Sequence, residues 1–331
     1  MEIPKPDGGI RLLGVPTVLD RWIQQMLLPV LQGIFDPTFS EHSYGFRPGR
    51  GCKDALRRVD QLLRAGYVHV VDADLKSYFD SIPRDRLMTR LEEKIADGPV
   101  LKLIASFLQA EILEDGAQWT PEAGVPQGAV LSPLLSNIYL DPLDHLAAAS
   151  GLEMVRYADD FVILCRTAAD AQRALELVQA WVTENGLALH PVKTKIVDVR
   201  TDGFDFLGYH FRGTKRGIRH WPRKKSVQKL KQTLRPATRR TSGHSMANVM
   251  ARVNRTLRGW FAYFQHSQSG IFRELDGWMR QRLRAILRKR SKRRGVASGG
   301  DFRRWPNAFF AEHGLVSLVE AHRAACQSSR R

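Results

Sequence analysis

The stretch that decides the fold is residues 156–164, which read Arg-Tyr-Ala-Asp-Asp-Phe-Val-Ile-Leu. Its two adjacent carboxylates, Asp159 and Asp160, lie between apolar runs, so the pattern predicts two buried strands joined by a tight turn. Aspartate is common in hairpin turns because its side chain hydrogen-bonds the local backbone, and a purely structural pair is one interpretation. Two like charges between core strands are nevertheless costly unless a cation neutralises them, which favours a metal site.

A second acidic segment, residues 70–80, reads Val-Val-Asp-Ala-Asp-Leu-Lys-Ser-Tyr-Phe-Asp and begins as a predicted buried strand over 68–75. Asp72 and Asp74 are two residues apart, so both project from the same face of that strand. Carboxylates from a strand end and from a hairpin can share two divalent cations about 3.5–4 Å apart, the arrangement of two-metal phosphoryl transfer. Because the chain has few cysteines and no histidine cluster, this oxygen-only set favours two Mg²⁺ ions, with Mn²⁺ as a substitute.

Positive charge is concentrated in the last third of the chain. The 331 residues carry a net charge of +17, but residues 1–211 hold 21 basic and 29 acidic side chains, whereas residues 212–331 hold 30 basic and 5 acidic ones. A run of charges is usually a solvated face. Here apolar residues recur at helical spacing among the charges over 271–287, which indicates a folded basic surface and predicts nucleic-acid binding.

The rest of the pattern predicts a mixed α/β region over 1–211, a helical region over 212–294 and a small basic tail over 295–331 that begins with a glycine-rich linker. Predicted helices of the helical region cover 224–235, 245–265 and 271–290. No apolar run approaches the ~20 residues of a membrane span, the start lacks a signal-peptide pattern, and the three cysteines are scattered. We therefore expect a reduced, cytoplasmic protein without membrane contact.

Seven motifs, in order, make the chain resemble the group II intron-encoded reverse transcriptases (maturases). A lone Tyr-x-Asp-Asp is a weak signal, but an ordered set along nearly the entire chain is specific. The motifs occupy residues 3–16, 43–49, 74–80, 124–133, 157–160, 190–194 and 204–211, and the resemblance continues through 260–264 to 314–318.

The resemblance implies an α+β right-hand polymerase. Fingers and palm, with an antiparallel sheet plus helices, would cover 1–211; a three-helix basic thumb (the maturase or X domain) 212–294; and a DNA-binding-like region 295–331. Family members usually carry a segment before the Lys5 hairpin, and many carry a C-terminal zinc-containing endonuclease. We therefore expect fingers shortened at the N-terminus and no second-strand DNA cleavage by this chain.

The resemblance also implies roles for individual residues. Asp74, Asp159 and Asp160 would be the catalytic, metal-binding carboxylates. Lys5 and Arg11 would hold the triphosphate, Phe79 would exclude ribonucleotides, and Lys193 would lie near the leaving pyrophosphate. The remaining positions are Gln127 and Gly128 for the nucleotide; Phe206, Leu207, Gly208 and Tyr209 for the primer grip; and Arg223, Lys224, Lys225, Lys229, Lys231, Arg288, Lys289, Arg290, Arg303 and Arg304 for nucleic acid.

In function, the resemblance implies an RNA-directed DNA polymerase that extends a DNA primer or target on an RNA template with dNTPs. It further implies binding of intron RNA to assist splicing and retrohoming. Two alternatives stay open: an RNA-binding maturase with weak or no polymerase activity, and a relative recruited to phage defence or to CRISPR spacer acquisition from RNA. The sequence does not decide between a monomer and a homodimer.

Overall fold

The computed structural model describes residues 2–4, 10–12, 14–109, 112–114, 117–119, 123–293 and 299–328, with the backbone alone for the segments before 14 and between 112 and 119. It divides into two compact units, Met1–Leu207 and Gly208–Arg331. The boundary inferred from sequence lies four residues later.

The first unit alternates helices with short strands. An antiparallel pair, β1 (Glu2–Pro4) and β2 (Ile10–Leu12), comes first. The remaining elements are α1 (Val18–Phe35), α2 (Cys52–Arg64), β3 (His69–Asp74), α3 (Tyr78–Ser81), α4 (Arg84–Glu92), α5 (Gly98–Leu108), the pair β4 (Ile112–Glu114) and β5 (Ala117–Trp119), α6 (Ser132–Ala149), β6 (Glu153–Tyr157), β7 (Asp160–Cys165), α7 (Ala168–Glu184), β8 (Lys195–Asp198) and β9 (Phe204–Phe206).

A four-stranded antiparallel sheet in the order β6-β7-β3-β8 organises this unit. The strands are short and rich in valine, isoleucine and phenylalanine, which suit a pleated, buried surface. Strand β7 is fully buried after its first residue because helices cover the sheet. Helix α6 lies in the same core, where most of its residues are buried.

Helix α1 has a buried face and an exposed apolar face. Leu31 and Phe35 are buried in the core, and the Gln24 side-chain oxygen accepts hydrogen bonds from the backbone amides of residues 130 and 131. The opposite face leaves large apolar side chains in solvent, with Trp22 64% exposed. The apolar residues that recur at helical spacing in α1 therefore lie on both faces of the helix.

The second unit begins with an antiparallel pair, β10 (Tyr209–Thr214) and β11 (Gly217–Pro222). Three longer helices follow: α8 (Lys224–Ala237), α9 (Met246–Phe264) and α10 (Ser269–Arg290). Their boundaries lie within two residues of the predicted ones, because the apolar spacing is regular. Strand β11 was not predicted, since arginine, histidine and tryptophan mask its alternation.

The C-terminal segment differs from the small basic tail that the sequence suggested. Helices α11 (Gly299–Arg304), α12 (Asn307–Glu312) and α13 (Leu318–Ser328) follow α10. Trp305, Phe310 and Leu318 are buried in the same core as α8, α9 and α10. Residues 299 and 300, predicted as linker, already belong to α11.

Two buried polar side chains fix the loop before α13. Asn254 donates from Nδ2 to the Gly314 carbonyl at 2.7 Å and accepts from the Val316 amide at 2.9 Å. The Asp276 carboxylate accepts from the Ser317 hydroxyl at 2.9 Å and from the Leu318 amide at 3.0 Å, so it caps α13 from a neighbouring helix. Asp276 is 4% exposed, and these bonds offset the cost of its burial.

We predict that Asp276→Ala lowers the free energy of unfolding by about 2–4 kcal/mol, because it removes charged hydrogen bonds and a helix cap at a buried position. Urea unfolding of the full chain measures the loss. Glu274→Ala is the control, since Glu274 pairs with Lys231 near solvent and should cost below about 1 kcal/mol. Equal losses for the two variants would contradict the capping role.

Candidate active site

The sheet brings the predicted acidic residues to one end. In the register of β3 and β7, Asp74 lies directly opposite Asp160. Tyr157 pairs with Asp160 across the β6–β7 hairpin, so Ala158 and Asp159 form its two-residue turn. Directly opposed residues have Cβ atoms about 4.5–5.5 Å apart. The structure therefore places Asp74 and Asp160 side by side, with Asp159 next in the chain.

The acidic end has the donor chemistry of a magnesium site. All of its side chains offer carboxylate oxygens, and each of the three aspartates is partly exposed, which suits a hard cation that keeps water ligands. In the described part of the chain, no group of three or more His, Cys, Asp or Glu side chains already forms a metal-holding cluster. The Asp74 Oδ2 atom instead accepts a hydrogen bond from Lys193 Nζ at 2.9 Å.

Asp72 has a different environment from Asp74. Burial raises the pKa of the Asp72 carboxyl to about 6, and Lys195, whose Nζ lies 4.0 Å away, opposes that rise. Asp72 lies opposite Val162 and Lys195 in the sheet. Asp72 therefore lies two residues further inside strand β3 than Asp74, away from the hairpin turn.

The loop that carries Lys193 is bonded to the end of β3. The His190 amide donates to the Asp74 carbonyl at 2.7 Å, and the Lys76 amide donates to the Ala188 carbonyl at 2.8 Å. These backbone bonds hold residues 188–194 along the acidic strand end. The loop from which Lys193 contacts Asp74 is therefore anchored at its beginning by backbone hydrogen bonds to the end of β3.

Phe79 follows a strained turn after β3. Ser77 has a left-handed φ of 48°, uncommon for a residue with a Cβ, and it directly precedes α3. Tyr78 is buried and its hydroxyl donates to the Ser136 carbonyl at 2.6 Å. Phe79 packs edge-on against the Tyr78 ring and is half-buried. The buried tyrosine thus fixes the backbone from which Phe79 projects.

The loop with Gln127 and Gly128 docks on this same segment. The Val125 amide donates to the Phe79 carbonyl at 2.7 Å, and a Cβ at Gly124 would lie 2.7 Å from that oxygen, so only glycine fits. Gln127 donates from Nε2 to Asp80 Oδ1 at 2.7 Å. Gly128 has a φ of 110°. The structure brings Phe79 and Gln127 together through adjacent backbone and side-chain bonds.

The turn that carries Asp159 is packed against residues from two distant segments. Gly45 lies against Ala158, and Asn137 of α6 bonds to Gly45. Arg156, which is 0% exposed, pairs with Asp144. Arg156, Ala158 and Gly45 lie in stretches that the sequence singled out, but none of these contacts was predicted from it. An arginine and an aspartate inside otherwise apolar segments were the available signal, because buried charges require partners.

The first hairpin is only partly described, whereas the primer-grip motif is described in full and spans the boundary of the two units. Arg11 lies in β2 opposite Ile3, whereas Lys5 lies outside the described residues. Of the primer-grip residues, Phe206 is buried in β9 and Leu207, with a φ of 45°, ends the first unit.

The other two primer-grip residues begin the second unit. Gly208, with a φ of 82°, accepts at its carbonyl from the Arg223 amide at 2.9 Å. Tyr209 is buried, which raises its pKa, and its hydroxyl donates to the Tyr263 carbonyl at 2.7 Å. These bonds connect the start of the unit to the beginning of α8 and to the end of α9.

The predicted nucleic-acid-binding residues of the second unit fall into two groups. Lys231 pairs with Glu274 at 2.9 Å, and Arg288 pairs with the buried Asp301, so both have partners within the unit. Arg290 donates to the His244 carbonyl. The exposed members are Arg223, Lys224, Lys225, Lys229, Lys289, Arg290, Arg303 and Arg304. The described helices contain none long and apolar enough to cross a membrane.

Comparison with protein families gives two matches along the chain. The reverse transcriptase (RNA-dependent DNA polymerase) model matches residues 3–211, and the model of the group II intron maturase-specific domain matches residues 227–305. The first match alone covers more than half of the chain.

Individual relatives agree with these matches. Group II intron-encoded protein LtrA of Lactococcus lactis subsp. cremoris is 40% identical over 140 residues, which is 42% of this chain and 23% of LtrA. Protein YkfC of Escherichia coli (strain K12) is 33% identical over 246 residues, 62% of this chain and 64% of YkfC. An uncharacterized 91 kDa protein in a cob intron of Schizosaccharomyces pombe is 29% identical over 265 residues, 62% of this chain and 33% of the relative. The chain thus spans less than two thirds of the length of these curated relatives.

Solved structures show the same fold. Apo telomerase from Candida tropicalis aligns with a TM-score of 0.55 at 12% identity, covering 97% of this chain and 62% of telomerase. Telomerase from Candida albicans aligns with a TM-score of 0.51 at 17% identity, covering 80% of this chain and 53% of that one. These alignments confirm the predicted α+β polymerase fold. The family matches show that the chain belongs to the reverse transcriptase family, in its group II intron-encoded, maturase-containing type.

Proposed function

We propose that this chain is an active RNA-directed DNA polymerase that copies RNA into cDNA by two-metal nucleotidyl transfer. We further propose that it binds its intron RNA to assist splicing and retrohoming. The observation that carries the proposal is the register of β3 and β7, which sets Asp74 beside Asp160 and next to the Asp159 turn.

Asp74, Asp159 and Asp160 would hold the two Mg²⁺ ions, since their oxygens are the ligands that Mg²⁺ prefers. Bound there, the ions would supply positive charge for the attacking oxygen and for the leaving pyrophosphate. The protein's own contribution is to hold the three carboxylates on a rigid sheet end. Such positioning lowers the barrier because the groups need no rearrangement as the reaction proceeds.

Phe79 and Gln127 would form the wall beside the incoming nucleotide. Phe79 would lie against the sugar and exclude a 2′-hydroxyl, while Tyr78 and the Val125 amide keep its backbone fixed. Gln127, held by Asp80, would contact the nucleotide, and Gly128 lets its backbone approach closely. The segment that carries Phe79 and the loop that carries Gln127 are hydrogen-bonded to each other, so a displacement of either segment would disturb both parts of the wall.

Lys193 would act on the leaving group. Its ammonium can donate a proton or a hydrogen bond to pyrophosphate, and its 2.9 Å contact with Asp74 holds it at the acidic strand end. Lys5 and Arg11 would bind the triphosphate from the first hairpin.

The second unit would grip the RNA. Its exposed lysines and arginines on α8 and around α10 and α11 suit an A-form duplex, which proteins hold through phosphates and 2′-hydroxyls. The match to the maturase-specific domain favours a second candidate function, splicing assistance without polymerisation. That function would need the basic surface alone.

We predict that Asp159→Ala abolishes primer extension, lowering the rate at least about 1,000-fold, because it removes a carboxylate that no neighbour replaces in the reaction. The assay extends a DNA primer annealed to RNA, with dNTPs and Mg²⁺. Asp202→Ala, at an exposed turn of the same unit, is the matched control and should keep wild-type activity. RNA that is bound by the wild type but never copied would exclude the polymerase and leave the maturase function.

We predict that Phe79→Val relaxes sugar selection, raising the efficiency of rNTP use relative to dNTP use by roughly 10- to 200-fold, since a smaller side chain leaves room for the 2′-hydroxyl. Single-nucleotide incorporation with each substrate measures the ratio. Phe107→Val, which alters another half-buried phenylalanine on the same core, should leave the ratio unchanged. A ratio that moved equally in both variants would mean that Phe79 acts only through packing.

We predict that replacing three exposed cations at the start of α8 by serine reduces the slope of log K against log salt for RNA binding by about 2–3, because each phosphate contact contributes about 0.7–0.9. Filter binding over a salt series measures the slope for Arg223, Lys224 and Lys225 together. A control triple in the first unit consists of Arg57, Arg64 and Lys102. Identical slopes for the two triples would contradict a binding surface on α8.

A further inference from the structure

We propose that Asn137, together with Gly45 and the buried Arg156, positions the turn that carries Asp159. The importance of this arrangement for catalysis rests on the proposed polymerase function. None of the three would touch the substrate. They would act through the backbone of residues 157–159.

Arg156 is the centre of the arrangement. It is 0% exposed, its Nε donates to both carboxylate oxygens of Asp144 at 2.8 and 3.0 Å, and its Nη2 donates to Asp144 Oδ2 at 2.5 Å. This pairing neutralises a buried charge and fixes the plane of the guanidinium group. The remaining nitrogen, Nη1, then faces the turn.

Nη1 of Arg156 has two hydrogens and uses both. One hydrogen is donated to the carbonyl of Ala158, a residue of the turn, at 3.0 Å. The other is donated to Asn137 Oδ1 at 2.9 Å. Asn137, which is fully buried, donates in turn from Nδ2 to the Gly45 carbonyl at 2.8 Å. A continuous chain of hydrogen bonds therefore runs from the salt bridge through Asn137 of α6 to the Gly45 segment. A second bond from the same arginine nitrogen reaches the turn.

Gly45 touches the turn from the other side. A Cβ at this position would lie 2.3 Å from the Ala158 nitrogen and 2.9 Å from the Tyr157 carbonyl carbon. Backbone bonds continue the contact, since the Tyr44 amide donates to the Arg156 carbonyl at 2.9 Å and the Arg156 amide donates to the His42 carbonyl at 3.0 Å. The turn is thus enclosed by backbone on one side and by a guanidinium group on the other.

The turn needs such support because its conformation is strained. Ala158 has a φ of 60°, a value that glycine normally supplies at the first position of this kind of two-residue hairpin. Strain of this kind persists only where the surroundings impose it, and it occurs at functional sites. The strained residue directly precedes Asp159, so loosening the turn would move that carboxylate.

The test compares Asn137→Ala with Asn185→Ala in the full chain. Asn185 also accepts a hydrogen bond from an arginine, Arg90, at 2.6 Å, but it contacts α4 and α7 and not the turn. Two measurements are made. The first is hydrogen exchange of the peptide 156–161 without nucleic acid, and the second is primer-extension kinetics, which give kcat and the KM for dNTP.

For Asn137→Ala we expect faster exchange in peptide 156–161 and a kcat lowered about 10- to 100-fold, the scale of a small misplacement of a reacting group. The KM for dNTP and the affinity for primer–template should stay within about twofold, since no substrate contact is lost. Asn185→Ala removes a hydrogen bond to an arginine at a half-buried position and should change neither measurement.

Asn137→Asp keeps the shape and the oxygen that faces Arg156, but it replaces the donor to the Gly45 carbonyl by a second oxygen and adds a negative charge beside the guanidinium group. It covers the case in which Asn137→Ala does not fold, and it should give a change of the same kind because its contact with the Gly45 carbonyl becomes repulsive. Exchange and kcat that match Asn185→Ala would overturn the proposal, and so would faster exchange with an unchanged kcat. Wild-type protein that extends no primer would refute the polymerase, and the exchange data would then decide alone whether Asn137 positions the turn.

Discussion

The burial of the Arg156 guanidinium is the constraint on which the first unit depends. A fully buried arginine is tolerated only when its charge is paired and its nitrogens have acceptors, and here Asp144, Asn137 and the Ala158 carbonyl provide an acceptor for each of the three nitrogens. These partners come from α6 and from the hairpin that contains Arg156. The helix and the hairpin must therefore stay together for the arginine to remain buried, which restricts the sheet end to one arrangement.

A single arrangement of the sheet end matters because the aspartates at that end do not stabilise their own arrangement. Asp74 and Asp160 lie opposite each other in adjacent strands, where like charges repel. Ala158 and Ser77 also hold left-handed backbone angles next to these carboxylates. A local arrangement that is unfavourable by itself persists only when the surrounding core supports it, and β7 and α6 provide that core. The aspartates are thus placed by residues that carry no chemistry of their own.

What the sequence could predict follows from the range of each interaction. Helices such as α9 and α10 were predicted closely because periodicity is local, and the side of the strand on which Asp74 lies follows from counting residues. The contact between Gly45 and Ala158 joins residues more than a hundred positions apart, and only the folded backbone shows it. Strand β11 was missed because its side chains are mostly polar or aromatic, and α13 because its burial depends on Asp276 and Asn254.

The charge composition of the second unit overstates the number of cations that are available to bind a nucleic acid. The count of lysines and arginines treats all cations of the second unit alike, yet Lys231 and Arg288 neutralise Glu274 and the buried Asp301. Cations committed in this way stabilise the fold and are unavailable to phosphates without a loss of stability. The first 211 residues carry more acidic than basic side chains and would repel a polyanion. In the proposed function, affinity for RNA would come chiefly from the exposed cations of the second unit, and the acidic end of the first unit would need bound cations before it could accept a phosphate. The proposed function would thus assign binding and chemistry to units of opposite net charge.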